Sequence, residues 1–394
     1  MNNIMFLARL LVLFSLVCIS CAHSSFEQKQ LKHALDFATS NRLELEILLQ
    51  HYTYDSLKLE AAKFLIRNMP HCYSYQQGGE MDSVKRVRTY YSPFGQIDQT
   101  YARRWGHYTY RNLLKIYDAH IITAEYLIDN IDRAFDNWQK RPWNRSLSFE
   151  DFCEYLLPYR IGDEPLEEWR ELYEKKYGYL LDSIYKGSDV VEAANLVSKH
   201  LQEPVFIYCE DFELPHIGPR YLFSHRYGSC VDAADIVTYA FRAVGIPCME
   251  DTDARGGHVW NVVRDTTESD VPIWYIASEA VRGSRDTGGY KRGKVYRPMY
   301  GFQEEKAAHL GDDWKSVPLL FYHPYMKDVS YAYYPDTLRI LTGIPDGEVC
   351  YLAHFHEAHW WSCACARSAS GKMEIPNLES ELVYLPMKYT KGNY

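Results

Sequence analysis

Apolar residues recur at helical spacing through most of the first two hundred positions. Leu31, Ala34, Leu35 and Ala38 share one helix face, and Leu57, Ala61, Phe64 and Leu65 share another that Pro70 closes. Leu113, Tyr117, Ala124, Leu127, Ile131 and Phe135 predict one long helix from Leu113 to Trp138. Ser148 with Asp151 has the spacing of a capping box, Pro165 is placed to start a helix, and Ser188 to cap VVEAANLVSKHL. Between these, 76–104 carries Gly78, Gly79 and Gly95 and predicts a long loop. A further helix, with Ala233, Val237, Phe241 and Val244 on one face, stops at Gly245 and Pro247. The period then drops to two. HVWNVV, from His258, predicts a strand, and Ile273 to Ser278 a second. Breakers and basic residues make 283–301 a loop with a solvated surface. From Val317 to Tyr389, SYAYY, TLRIL, EVCYLAHF and LVYLP are β-like and predict a small sandwich. The fold class expected is α+β. A helical region spans 21–202, a helix packed on an antiparallel sheet spans 203–312, and a β domain spans 313–394.

The chain has 394 residues and a net charge of −9, and this acidic balance argues against nucleic acid as a partner. Residues 1–20 carry Arg9 as their only charge, and LLVLFSLVCIS is too short for a spanning helix but suits a signal peptide. Ile19-Ser20-Cys21 resembles the end of a bacterial lipobox. That resemblance implies lipidation at Cys21, an anchor on the membrane rather than a span, and a place in the bacterial cell envelope, on the outer membrane or periplasmic face. With Cys18, Cys21 and the candidate nucleophile set aside, seven of the ten cysteines remain, an odd number without zinc or dense disulfide spacing. Buried free thiols are the expected fate of most. His354, His356, His359 and Glu357 form no complete ligand set, so neither metal nor cofactor is expected.

Three residues carry candidate chemistry. Cys230 stands at the start of the helix that ends at Gly245, where unpaired N–H groups and the positive dipole end favour a thiolate. His258 opens a strand, and Glu279 follows the next. Thiol, imidazole and acid in this order form a candidate triad, with Asp265 as the fallback acid. Asp232 and Asp235 oppose thiolate formation unless they point away. A second oxyanion donor is sought between Pro219 and Tyr227.

At these residues the chain resembles the transglutaminase-like superfamily, a branch of the papain-like thiol enzymes. The match is carried by Gly228-Ser229-Cys230, by RAVGIP from Arg242 to Pro247, by His258-Val259-Trp260 and by Trp274, and covers roughly residues 220 to 300. Where that family has Asp in a D-P-T-like context, this chain reads Ala277-Ser278-Glu279. NRLELEILLQHY, LKLEAAKFLIRNMP and the stretch from Ser148 to Glu171 resemble the helical segment of a group of bacterial transglutaminase-like lipoproteins. Through that resemblance Tyr159 and Arg160 become cleft candidates; Tyr227 and Trp260, beside the thiol and the imidazole, are further ones. The resemblance implies a cysteine hydrolase cleaving an amide in a protein, peptide or glycopeptide. Two alternatives stand beside it, acyl transfer to an amine and a non-catalytic binding lipoprotein on the same fold.

Overall fold

The structure is a computed structural model that describes residues 25–91, 110–208, 214–255, 257–276, 278–284, 291–303, 319–335, 337–356 and 358–388. It mixes helices with small antiparallel sheets, an α+β arrangement. Helices α1 (25–37), α2 (Arg42–His51) and α3 (Ser56–Asn68) open the chain. Strand β1 (Tyr73–Tyr75), helix α4 (Gly79–Tyr91), strand β2 (Lys115–Tyr117) and helices α5 (Ala124–Lys140) and α6 (Phe149–Tyr155) follow. Leu45, Leu48, Leu65, Leu127, Ile131 and Phe152 gather into one core here.

Several sequence expectations change in this region. The stretch from Gly79 is a helix rather than a loop, because Met81, Val84 and Arg88 fall on one buried face. The rest of the expected loop, 92–109, lies outside the described residues. The expected helix from Leu113 is divided. Tyr117 pairs with Tyr73 in an antiparallel ribbon, and α5 begins only after Thr123, whose hydroxyl accepts the Tyr126 N–H at 3.2 Å. Ser148 caps α6 as expected, accepting from Asp151 N at 3.0 Å. Pro165 starts no helix; it stands in the irregular segment ahead of helix α7 (Arg170–Tyr179). Helix α8 (Val190–Leu201) is capped by Asp189, not Ser188; the Asp189 carboxylate accepts from both Val191 N and Glu192 N.

Strand β3 (Ile207–Tyr208) pairs in parallel with β4 (Tyr227–Gly228), and the short helix α9 (Pro219–Ser224) lies between them in sequence. Helix α10 (Cys230–Val244) is the central element. Helices α7 and α8 pack on it, and so do strands β5 (Cys248–Asp253) and β6 (Val259–Val263). Helices before residue 202 therefore share a core with the helix after it: Tyr173, Ala194 and Val197 meet Ile236, Tyr239 and Val244. The central sheet has the order β7 (Val271–Ile273), β6, β5, β8 (Val295–Pro298), β9 (Met326–Asp328), all antiparallel. The second expected strand thus ends where it was expected to begin, at Ile273. Arg292, Lys294 and Arg297 are buried, not solvated; Arg297 pairs with Asp251 and Asp270.

Helix α10 was expected to bury one face, but every residue from Asp232 to Val244 is buried. Four of its polar side chains are matched by partners, as burial demands, while the Tyr239 hydroxyl is buried without one among the described residues. Asp232 meets Arg88 at 2.7 Å and Asp235 meets His216 at 3.0 Å. Thr238 donates to Glu250 at 2.7 Å, and Arg242 donates to the carbonyls of Cys248 and Arg160. Gly245 ends the helix in the left-handed region, φ 81°. The last carbonyls accept from a distant segment: Val244 from Arg141 at 2.8 Å, and Gly245 from Trp143 and Asn144, both at 2.9 Å.

After β9 comes a three-residue helical turn at Ser330–Ala332, where SYAYY had predicted a strand. The other predicted strands are present: β10 (Leu338–Thr342), β11 (Val349–His356) and β14 (Tyr384–Met387), with β12 (His359–Arg367) and β13 (Lys372–Pro376) between. They make a two-stranded sheet, β10-β13, and a three-stranded sheet, β12-β11-β14. Leu352, Cys363, Met373 and Ile375 bring both sheets into one core.

Candidate functional site

Cys230 is the first residue of α10, and its side chain is half-buried. The helix start is built by Asp232, whose carboxylate reaches back to accept the Ser229 N–H at 2.8 Å and its hydroxyl at 3.2 Å. The carboxylates feared as opponents of a thiolate are both neutralised. Arg88 holds Asp232, and His216 is held protonated by Asp235, although its own burial works against the charge. Burial pushes Asp235 up to about 6, outweighing the imidazolium beside it.

His258 directly precedes β6. That strand is fixed to α10 by Asn261, which donates to the Ala234 carbonyl at 3.0 Å and to the Thr238 hydroxyl at 2.9 Å. The His258 ring packs 5.8 Å from Trp260 and 5.7 Å from Tyr275. Burial holds its imidazole below the usual range; Arg292 and Arg255 push the same way, and Asp253 opposes them. A depressed imidazole pKa keeps the ring neutral near pH 7, the state that accepts a proton.

Tyr208 connects the two. It lies beside Gly228 in the parallel pair, and its hydroxyl accepts the Ile276 N–H at 3.2 Å. Burial raises its phenol, and Cys230 and Tyr275 beside it add to the rise. The thiol and the imidazole therefore flank one patch formed by Tyr208 and Tyr275, which are both substantially exposed.

The expected acids are placed differently. Glu279 is exposed, between Ser278 and Ala280, whose N–H and carbonyl are gripped by Asn195 at 2.7 and 3.0 Å. Asp265 is buried and accepts from Thr267 N at 3.0 Å, from the Thr267 hydroxyl at 2.7 Å and from Arg282. Burial would raise its carboxyl, but these bonds hold it below the usual range. Its role in the structure is to hold Arg282, which also grips Asp189 at 2.7 and 2.9 Å.

The four cleft candidates are all buried. Tyr159 donates to Asp118 at 3.0 Å, and Arg160 is paired with the same carboxylate and with Glu164. Tyr227 lies under the Arg88 guanidinium, 5.7 Å from its ring centre. Trp260 donates to the Tyr333 hydroxyl at 2.8 Å and carries Arg292 over its ring at 4.9 Å. Arg160 does line a cavity of about 250 Å³ with His71, His216, Arg242 and Tyr325, but neither Cys230 nor His258 reaches it.

Cys21 lies outside the described residues, and so does Glu357. His354 is buried while His359 is exposed. Among the described residues no group of three or more His, Cys, Asp or Glu side chains is placed to hold a metal ion. Of the free cysteines described, Cys230 and Cys365 are half-buried and the other five are buried. No helix of the described residues is long and apolar enough to cross a membrane.

The sequence reasoning missed Tyr208, Tyr275, Arg292 and Asp253. Asp253 was readable: a Gly-Gly pair between it and His258 signals a tight turn that sets the two across from each other. Compared with protein-family models, curated proteins and solved structures, the chain matches none of them.

Proposed function

We propose that this chain is a transglutaminase-like cysteine hydrolase, with a papain-like core and a C-terminal sandwich, that cleaves an amide bond in a peptide, side chain or glycopeptide. One juxtaposition supports it: a thiol at the start of a buried helix and a neutral imidazole at the head of the adjacent strand border the same exposed Tyr208–Tyr275 patch. The chemistry follows from that pair. His258 takes the Cys230 proton, and the thiolate attacks the acyl carbon to give a tetrahedral adduct. The Cys230 backbone N–H, in the first turn of α10, is the donor assigned to the developing oxyanion. The imidazolium returns its proton to the leaving amine as the C–N bond breaks. Water, deprotonated by the same ring, then releases the acid from the thioester. A lipid anchor at Cys21 and a place in the bacterial envelope belong to the same proposal. Exposure of Glu279 favours a second assignment, a binding lipoprotein that keeps the fold without turnover.

Iodoacetamide labelling between pH 5 and 9, with mass-spectrometric mapping, separates the two. Activated chemistry labels Cys230 ahead of Cys365 below neutral pH in wild type and loses this preference in His258→Ala. Labelling of Cys230 at an ordinary thiol's pace in both proteins would overturn the hydrolase.

A further inference from the structure

The two acids expected to serve His258 have other surroundings. Glu279 is exposed, and Asp265 is engaged by Thr267 and Arg282. The β5–β6 hairpin supplies another. Thr252 pairs with Val259 in its register, so the next pair outward is Asp253 with His258. A hydrogen bond from Asp253 N to the His258 carbonyl, 3.3 Å, joins them, and the Thr252 hydroxyl donates to the same carbonyl at 3.1 Å. Residues directly opposed in an antiparallel pair project from the same face, with Cβ atoms about 4.5–5.5 Å apart.

The Asp253 carboxylate is also fixed. One oxygen accepts from Arg255 N at 3.1 Å and from Gly257 N at 2.8 Å, and the other lies 3.6 Å from the Arg255 guanidinium. Its residue is 4% exposed. Around His258 stand Asp253 and Arg255 from the hairpin, Arg292 from the segment before β8, and Tyr275 from the segment after β7. His354 of β11 faces Asp253 and Arg255 as well. Asp253 favours the charged form of the His258 ring, against the Arg292 and Arg255 guanidinium groups.

We propose that Asp253, the cross-strand neighbour of His258, is the positioning carboxylate of the thiol–imidazole pair, in place of Glu279 or Asp265. This rests on the cysteine-enzyme assignment above. Asp253 favours the imidazolium once His258 has taken the thiol proton, and its two backbone hydrogen bonds prevent it from swinging away. Arg292 and Arg255 work in the opposite direction, so the pair is balanced rather than locked in its charged form.

The test uses Asp253→Asn, because the amide oxygen keeps the bonds from Arg255 N and Gly257 N while the charge is lost. Two readouts are taken on the mature protein with histidine-selective isotope labels. The first is the NMR titration midpoint of His258. The second is iodoacetamide labelling of Cys230 at pH 6. The midpoint falls in Asp253→Asn and stays at the wild-type value in Glu279→Gln, and labelling in Asp253→Asn slows about threefold to tenfold. An unmoved midpoint in Asp253→Asn, or a fall in Glu279→Gln instead, overturns the assignment. The outcomes also separate it from the proposed function. A midpoint that falls in a protein whose Cys230 is inert sustains Asp253 and removes the hydrolase. A reactive Cys230 with an unmoved midpoint does the reverse.

Discussion

Arg88 and Asp232 form a buried ion pair, Nη2 to Oδ2 at 2.7 Å, between residues 144 positions apart in the chain. It joins α4 to the first turn of α10, within two residues of Cys230. Removing one partner leaves a charge without its counterion in a buried place, at a cost of about 3–5 kcal/mol. Arg88→Met is therefore expected to lower unfolding stability in urea by about that much. The Asp232 charge it leaves beside the thiol slows labelling of Cys230 at pH 6. Adding Asp232→Asn recovers part of both losses, and a double-mutant cycle measures how much.

Gly245→Ala tests the end of the same helix. The backbone there has φ +81°, and an added Cβ would lie 2.7 Å from the Asn137 carbonyl oxygen, a main-chain atom that cannot swing aside. Left-handed strain and the clash together are expected to cost about 2–4 kcal/mol, read as a fall in the urea midpoint at unchanged slope.

Stability is expected to fall with rising pH through Glu250. Burial, with Asp235 close by, pushes this carboxyl up to about 8 from an ordinary 4.5. A folded pKa raised in this way contributes stability fully below 4.5 and loses it as the pH climbs to about 8. Asp235 moves in the same direction, to about 6, so the comparison with Glu250→Gln isolates the Glu250 share. Urea unfolding at pH 5 and 8.5 should give a smaller difference in the variant than in wild type.

Asp265→Asn separates anchoring from chemistry. Weakening the grip on Arg282 is expected to lower stability by about 1–3 kcal/mol, seen by thermal unfolding. The pH profile of Cys230 labelling should stay where it is in wild type.

Much of the framework was written in local signals. The Gly245 stop and the Ser148 cap depend on residues within a few positions and are found as read; β11 is a strand as read, but it is buried continuously from Cys350 to His354 rather than alternately. The misread elements are those that distant partners decide. Residues 79–91 look polar until Arg88 meets Asp232, and 113–123 looks helical until Tyr117 pairs with Tyr73. Arg292 and Arg297 look like solvated surface because their stretch of chain is rich in glycine and basic residues. Tryptophan rings and carboxylates from other strands bury them. At the candidate site, the thiol and the imidazole were legible from flanking motifs. The carboxylate facing the imidazole carries no motif of its own; only the pairing register that the Gly-Gly turn implies puts it there.

The closure of α10 by Arg88, Arg141, Trp143 and Asn144 has a consequence for the order in which the chain is made. Synthesis runs from the N-terminus, so these donors leave the ribosome roughly a hundred or more residues before the acceptors they serve. Until α10 emerges, Arg88 and Arg141 of the nascent N-terminal part still lack the α10 acceptors that they serve. The thiol end of α10 is then completed late, on a surface already assembled to receive it.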